Sequence, residues 1–329
     1  MKQLFFPILF VIMICSCSKD NDDITEPSLS DITFSYDDRI DKIDLIYQYP
    51  STIDKTKASV VWSTSDKSIE ILNDRFVDAY FFLPETIEPK QVSITLTVSD
   101  GKNTGTVTKE ILLPILSEVR KKGLGRTLDD RKSNNVAHDW YFDQMSSGEH
   151  SALNCGPSVA AMVVKWRYPD FTETPEDARK FIQPTGGGII ILHLSPYLFK
   201  NKVAHEFIGG HDIHILKEII NAGNIAILGV KMYNIALQGN HKWHKGRFYS
   251  SLPNADMGHF IIVKGYIVVD GVTYYEVYDP YSSGRRYSDN GQLMGIDRYY
   301  QWNELEKAFN EFIIYPTGND IIVIFGEGS

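Results

Sequence analysis

The hydrophobic periodicity of this chain changes partway along it, and one uniform layer cannot satisfy both halves. Between about residues 31 and 116, short apolar alternations recur at 43–47, 59–62, 77–82 and 92–98. Turn-forming stretches at 63–67, 73–74 and 99–103 separate them, and no helical period intervenes. Evenly spaced short strands of this kind predict a small β-sandwich. After Val136 the pattern becomes helical first and strand-like later, an α+β layout. The chain has 329 residues, which also exceeds one ordinary core. Residues 117–135 between the two patterns are charge-rich and read as a linker, or as the first arm of the second domain.

The second domain is expected over 136–329. Helices are predicted over 156–168, from Thr174 as N-cap with Pro175 at the first position, over 212–221 ending at Gly223, and over 302–312. Strands are predicted over 225–232, 259–267, 273–279 and 320–325. Trp62 reads as a core residue of the first domain, which carries no evident chemistry.

The N-terminus adds a separate signal. Lys2 precedes an apolar run over 4–14, interrupted by Pro7. That run is too short for a spanning helix, which needs about 20 apolar residues, and has the length of a signal-peptide core. It ends in Ile14-Cys15-Ser16-Cys17, followed by Ser18-Lys19-Asp20-Asn21-Asp22-Asp23. This resembles the lipobox of bacterial lipoproteins followed by the surface-export signal of Bacteroidetes lipoproteins. The resemblance implies lipidation at Cys17, a flexible tether over 18–30 and a place at the outer membrane or cell surface, with the lipid as the sole membrane contact. The β-sandwich, in turn, resembles immunoglobulin-like modules of bacterial surface proteins. The net charge of −9 offers no basic surface for nucleic acid.

If Cys15 leaves with the signal and Cys17 carries lipid, Cys155 is the one remaining thiol. Exported proteins ordinarily pair their cysteines, so a lone one is either an inert core residue or a reactive thiol. Its context, Asn154-Cys155-Gly156-Pro157-Ser158, opens the first predicted helix. The helix dipole there favours the thiolate, Gly156 admits a substrate backbone beside the sulfur, and Pro157 suits a first turn.

Such a nucleophile needs a base. Gly258-His259 starts an apolar strand, and the next strand ends in Tyr278-Asp279-Pro280. An antiparallel hairpin turning at Gly271 would bring His259 and Asp279 to the same end, where the carboxylate can fix the imidazole tautomer. The Cys155 backbone N–H and the Gln144 side chain are candidate oxyanion donors.

The order Gln144, Asn-Cys-Gly-Pro-Ser, Gly-His and Tyr-Asp-Pro resembles the papain-like cysteine peptidases related to the bacteriocin leader-processing peptidases. The resemblance covers roughly 136–329. It implies a helix carrying the nucleophile packed on an antiparallel sheet, with Cys155 attacking a peptide carbonyl, His259 shuttling the proton, Asp279 orienting it and Gln144 holding the oxyanion. The Gln144–Cys155 spacing is longer than that family usually shows, and no transporter region accompanies the domain. The expected partner is a peptide or protein substrate.

Two other classes stay open: a cysteine amidase or transferase acting on cell-wall peptides, and an inactive papain-like scaffold that binds peptide or glycan. His211-Asp212-Ile213-His214 and His241-Lys242-Trp243-His244 have histidines three apart, but they lack the His-Glu-x-x-His frame and any cysteine pair. No metal and no organic cofactor is expected. Gly186-Gly187-Gly188 lacks a phosphate-loop ending and reads as a mobile loop near the site.

Overall fold

The computed structural model describes residues 29, 32–51, 53–86, 88–209, 212–236, 258–288, 290–312 and 319–326. The expected signal segment, Cys17, most of the tether, His211, His241 and His244 lie outside the described residues. The chain forms two compact units, the second made of everything from Leu113 onward together with Asp38–Ile43 and Phe82–Lys90.

The N-terminal strands are β1 (Ser35–Asp38), β2 (Lys42–Ile46), β3 (Ser59–Thr64), β4 (Asp78–Phe82), β5 (Lys90–Ser99) and β6 (Thr104–Leu113). They make two three-stranded sheets, ordered β1-β2-β4 and β3-β5-β6. Alternation sorts their faces: in β5, Val92, Ile94, Leu96 and Val98 are buried while the residues between them are not. Trp62 is buried, its indole edge-to-face on Phe34 at 5.0 Å and its N–H donated to the Phe76 carbonyl at 2.8 Å.

The second unit begins with the short helix α1 (Glu118–Lys121) and strand β7 (Leu128–Ser133). Next come α2 (Cys155–Arg167), α3 (Pro175–Ile182), α4 (Ser195–Lys200), β8 (His205–Gly209) and α5 (Ile215–Asn221). The remaining elements are β9 (Ile225–Lys231), β10 (Gly258–Val269), β11 (Val272–Tyr278), β12 (Arg298–Gln301), α6 (Trp302–Asn310) and β13 (Asp320–Ile324). The sheet runs β12-β11-β10-β9-β13-β8, with β7 added on β10. Every pairing in it is antiparallel. The unit is thus α+β, with α2 on one face of the sheet and α5 and α6 on the other.

Residues 117–135, expected as a linker or as the first arm of the second domain, hold α1 and β7. Residues 128–133 pair with β10 from Gly265↔Ser133 to Val269↔Leu128, starting where β9 ends. Almost all of β7 is solvent-exposed, so its charged side chains are those of a peripheral strand and hide the strand from a periodicity reading. Helix α5 starts three residues later than expected, because the Asp212 side chain accepts the His214 N–H at 2.7 Å and makes a turn there. Helix α3 begins with a full capping box between Thr174 and Asp177.

The β10–β11 hairpin sets up the site. Its turn is Asp270-Gly271, both with positive φ (+49° and +74°), the conformation two-residue hairpins favour. Regular pairing closes at Ile262↔Tyr278, leaving Asp279 just past the end of β11 and His259 near the start of β10. Helix α2 is buried on nearly every side, from Gly156 through Val164, so the sheet and the surrounding helices fix its N-terminus.

Candidate active site

Cys155 is the first residue of α2, half-buried, and a free thiol. Its own N–H, like those of every helical first turn, has no acceptor within the helix. The His259 imidazole and the backbone amides of Phe260 and Gly156 are the groups that favour the thiolate here. Burial opposes ionisation, but the His259 hydrogen bond and charge, together with these amides, hold the thiol pKa below its ordinary value.

His259 Nε2 lies 2.8 Å from Asp279 Oδ1, which leaves Nδ1 for the thiol. Both side chains are buried. Burial works against protonation of His259, but the Asp279 charge and hydrogen bond and the contact with Cys155 raise its pKa to about 9. The two shifts together favour a thiolate–imidazolium pair.

Asp279 is buried and fully engaged. Oδ1 accepts the His259 ring and the Tyr281 N–H (2.9 Å); Oδ2 accepts Arg298 Nη1 (2.7 Å) and the Tyr300 hydroxyl (2.6 Å). Burial alone would raise its pKa, yet the charges of His259 and Arg298 and these hydrogen bonds hold it well below the usual carboxylate range. Its carbonyl accepts the Tyr141 hydroxyl (2.7 Å) and its N–H donates to the Gly295 carbonyl (2.9 Å). Gly295 is obligatory here, since a Cβ would collide with the Asp279 carbonyl and the Tyr141 hydroxyl.

Gln144 is buried at the start of a 3₁₀ turn over Gln144–Ser146, capped by Asp143. Its N–H donates to the Pro280 carbonyl at 2.7 Å, which joins this turn to the Asp279 segment. The side-chain Nε2 donates one bond, to the Ser151 carbonyl at 3.2 Å. An amide carries two such donors, so the second is available to a ligand.

A cavity of about 250 Å³ opens on the thiol. Besides Gln144, Cys155 and His259 it is lined by Ala152, Leu153, Gly188, Ile189, Gly258, Phe260 and Phe312. Three of the four residues selected from sequence, Gln144, Cys155 and His259, therefore line one space, with Asp279 buried behind His259, and the triglycine stretch contributes Gly188 to its wall. Gly156 also packs closely. A Cβ there would meet Ile189 at 3.0 Å, a close contact with a residue of the cavity wall.

Arg298, Tyr300, Tyr141 and Arg179 were not legible from sequence. Arg298 and Tyr300 alternate on β12, two strands from β10, and only sheet order brings them to Asp279. Among the described residues, no group of three or more metal-ligating side chains could hold a metal ion.

A thiol paired with an imidazole, a buried carboxylate behind it and spare N–H donors alongside form a constellation suited to acyl transfer. No protein-family model and no curated protein matches this chain. A search of solved structures finds a likeness to a chain described as a candidate C39-like peptidase from Bacillus anthracis. It has 15% identity and a TM-score of 0.38, covering 61% of this chain and 100% of that one. A likeness this distant transfers neither fold nor activity.

Proposed function

We propose that this protein is a cysteine peptidase that hydrolyses peptide bonds through a thioester acyl-enzyme. The observation that carries the reading is the continuous relay from Cys155 through His259 to Asp279, opening on a cavity. In this reading the thiolate attacks a substrate carbonyl. The Cys155 N–H and the free Gln144 N–H receive the developing oxyanion. His259 then gives its proton to the leaving amine, and in the second half takes one from the water that attacks the thioester. Asp279 stays ionised throughout and orients the ring.

We further propose, from the sequence of the N-terminus, that Cys17 is lipidated and the enzyme faces outward from the outer membrane, with the immunoglobulin-like sandwich as a spacer. The same machinery also suits an amidase or transferase acting on cell-wall peptides, and the substrate decides between them.

The test is a mixed peptide library incubated with the wild-type chain, Cys155→Ala and His259→Ala, with new termini read by mass spectrometry. New termini with the wild type alone support the reading. Absence of cleavage together with an unreactive Cys155 would return the chain to the binding-scaffold class.

A further inference from the structure

Arg179 lies in the middle of α3 with 1% of its surface exposed, and its hydrogen-bond partners include no carboxylate. A buried guanidinium is costly unless its donors are well used. Here they are: Nη1 donates at 3.5 Å to the Gln183 carbonyl at the end of its own helix, and the other bonds go to segments around the thiol site. Nε donates to Asn154 Oδ1 at 2.6 Å and Nη2 to the Leu153 carbonyl at 2.9 Å, the two residues just before Cys155. Nη1 donates to the Gly187 carbonyl at 2.9 Å, next to the Gly188 of the cavity wall.

The connection continues to Gln144. Asn154 Nδ2 donates to the Ser147 carbonyl (3.1 Å) and hydroxyl (2.9 Å), and the Ser147 hydroxyl donates to the Gln144 carbonyl. One side chain thus ties together the nucleophile segment, the turn carrying Gln144 and the triglycine rim. These three parts come from separate stretches of sequence. Burial disfavours the Arg179 cation, and the negative charges of Cys155 and Glu176 oppose that effect, so the thiolate is among its countercharges.

We propose that Arg179 is a positioning residue of the thiol site: its fork fixes Cys155, Gln144 and the 187–188 rim in one frame, and its charge supports the thiolate. The inference rests on the peptidase reading above. Fork and charge can be separated, because lysine keeps the charge and loses the planar fork.

The experiment compares the full-length wild-type chain, Arg179→Lys and Arg179→Gln, after thermal unfolding has shown which are folded. Two quantities are read: the pH midpoint of Cys155 alkylation by iodoacetamide, and kcat and KM on a peptide the wild type cleaves. Arg179→Lys is expected to keep the wild-type midpoint while kcat falls about ten- to a hundredfold. Arg179→Gln is expected to lose as much kcat and to move the midpoint up by about one pH unit. If Arg179→Gln does not fold, Arg179→Lys decides alone, and a wild-type kcat in it overturns the proposal. A wild-type midpoint in folded Arg179→Gln overturns it as well. If the wild type neither cleaves peptides nor alkylates faster than free cysteine, the peptidase reading falls first and this inference with it.

Discussion

His259 and Asp279 lie 2.8 Å apart at the open end of a hairpin whose closed end is the Asp270-Gly271 turn. The twelve-residue strand thus carries the imidazole, and the carboxylate follows directly on the seven-residue strand paired with it.

The first prediction is a bell-shaped pH dependence. The thiol pKa is lowered and the imidazole pKa is raised to about 9, so the reactive ion pair exists between the two. Cleavage should rise on the acid side as Cys155 ionises and fall near pH 9 as His259 loses its proton. The profile of kcat/KM on a single peptide measures both limbs. A plateau continuing well above pH 10 would contradict the assignment of His259.

Substitutions should grade by role. Cys155→Ala removes the nucleophile and should abolish turnover. His259→Ala should cost at least about a hundredfold, and Gln144→Ala about a hundredfold in kcat with little change in KM, the signature of a group acting in the transition state. Steady-state kinetics on the folded variants checks the order. A Gln144→Ala enzyme with wild-type kcat would remove Gln144 from the site.

Asp279 also predicts an acid-stability effect. Its carboxyl pKa in the folded protein is held well below the unfolded value, about 3.9. The folded state therefore binds that proton less tightly, and the stabilisation is present above about pH 4 and lost as pH falls through the native value. Denaturant unfolding of Asp279→Asn should show a flatter loss of stability below pH 4 than the wild type.

The anchor behind Asp279 can be tested without touching the thiol. Tyr300→Phe removes one bond to an ionised group, worth about 1.5–3 kcal/mol. It should raise the Asp279 pKa and reduce kcat. Gly295→Ala forces a Cβ against the Asp279 carbonyl and the Tyr141 hydroxyl and should cost at least about 1–3 kcal/mol as overpacking. Thermal unfolding and activity, measured side by side, separate the two effects.

The lipid-anchor proposal has its own measurement. Cys17→Ser should move the protein from the detergent phase to the aqueous phase in a cloud-point partition and leave peptide cleavage unchanged. A wild-type chain that partitions into water would reject Cys17 as the anchor.

Much of the site was readable because its residues sit on locally coded elements. Cys155 opens a helix announced by Gly156, Pro157 and an apolar run, and His259 and Asp279 flank a hairpin announced by Asp270-Gly271. What could not be read depends on tertiary order. Arg298 and Tyr300 occupy a four-residue strand too short to show an alternation. Arg179 looks like any charged helix residue until its partners at 153–154 and 187 are known. Strand β7 carries Asp129, Asp130, Arg131 and Lys132, and pairs with residues 132 to 141 positions away.

Strand β10 runs through the middle of the second sheet, paired with β9 and then β7 on one side and with β11 on the other. From Ile262 onward β10 is paired on both sides, so opening that part of the structure requires the sheet itself to come apart. Hydrogen exchange there should report the global unfolding free energy, and heat should extinguish activity in the same cooperative step that melts the sheet.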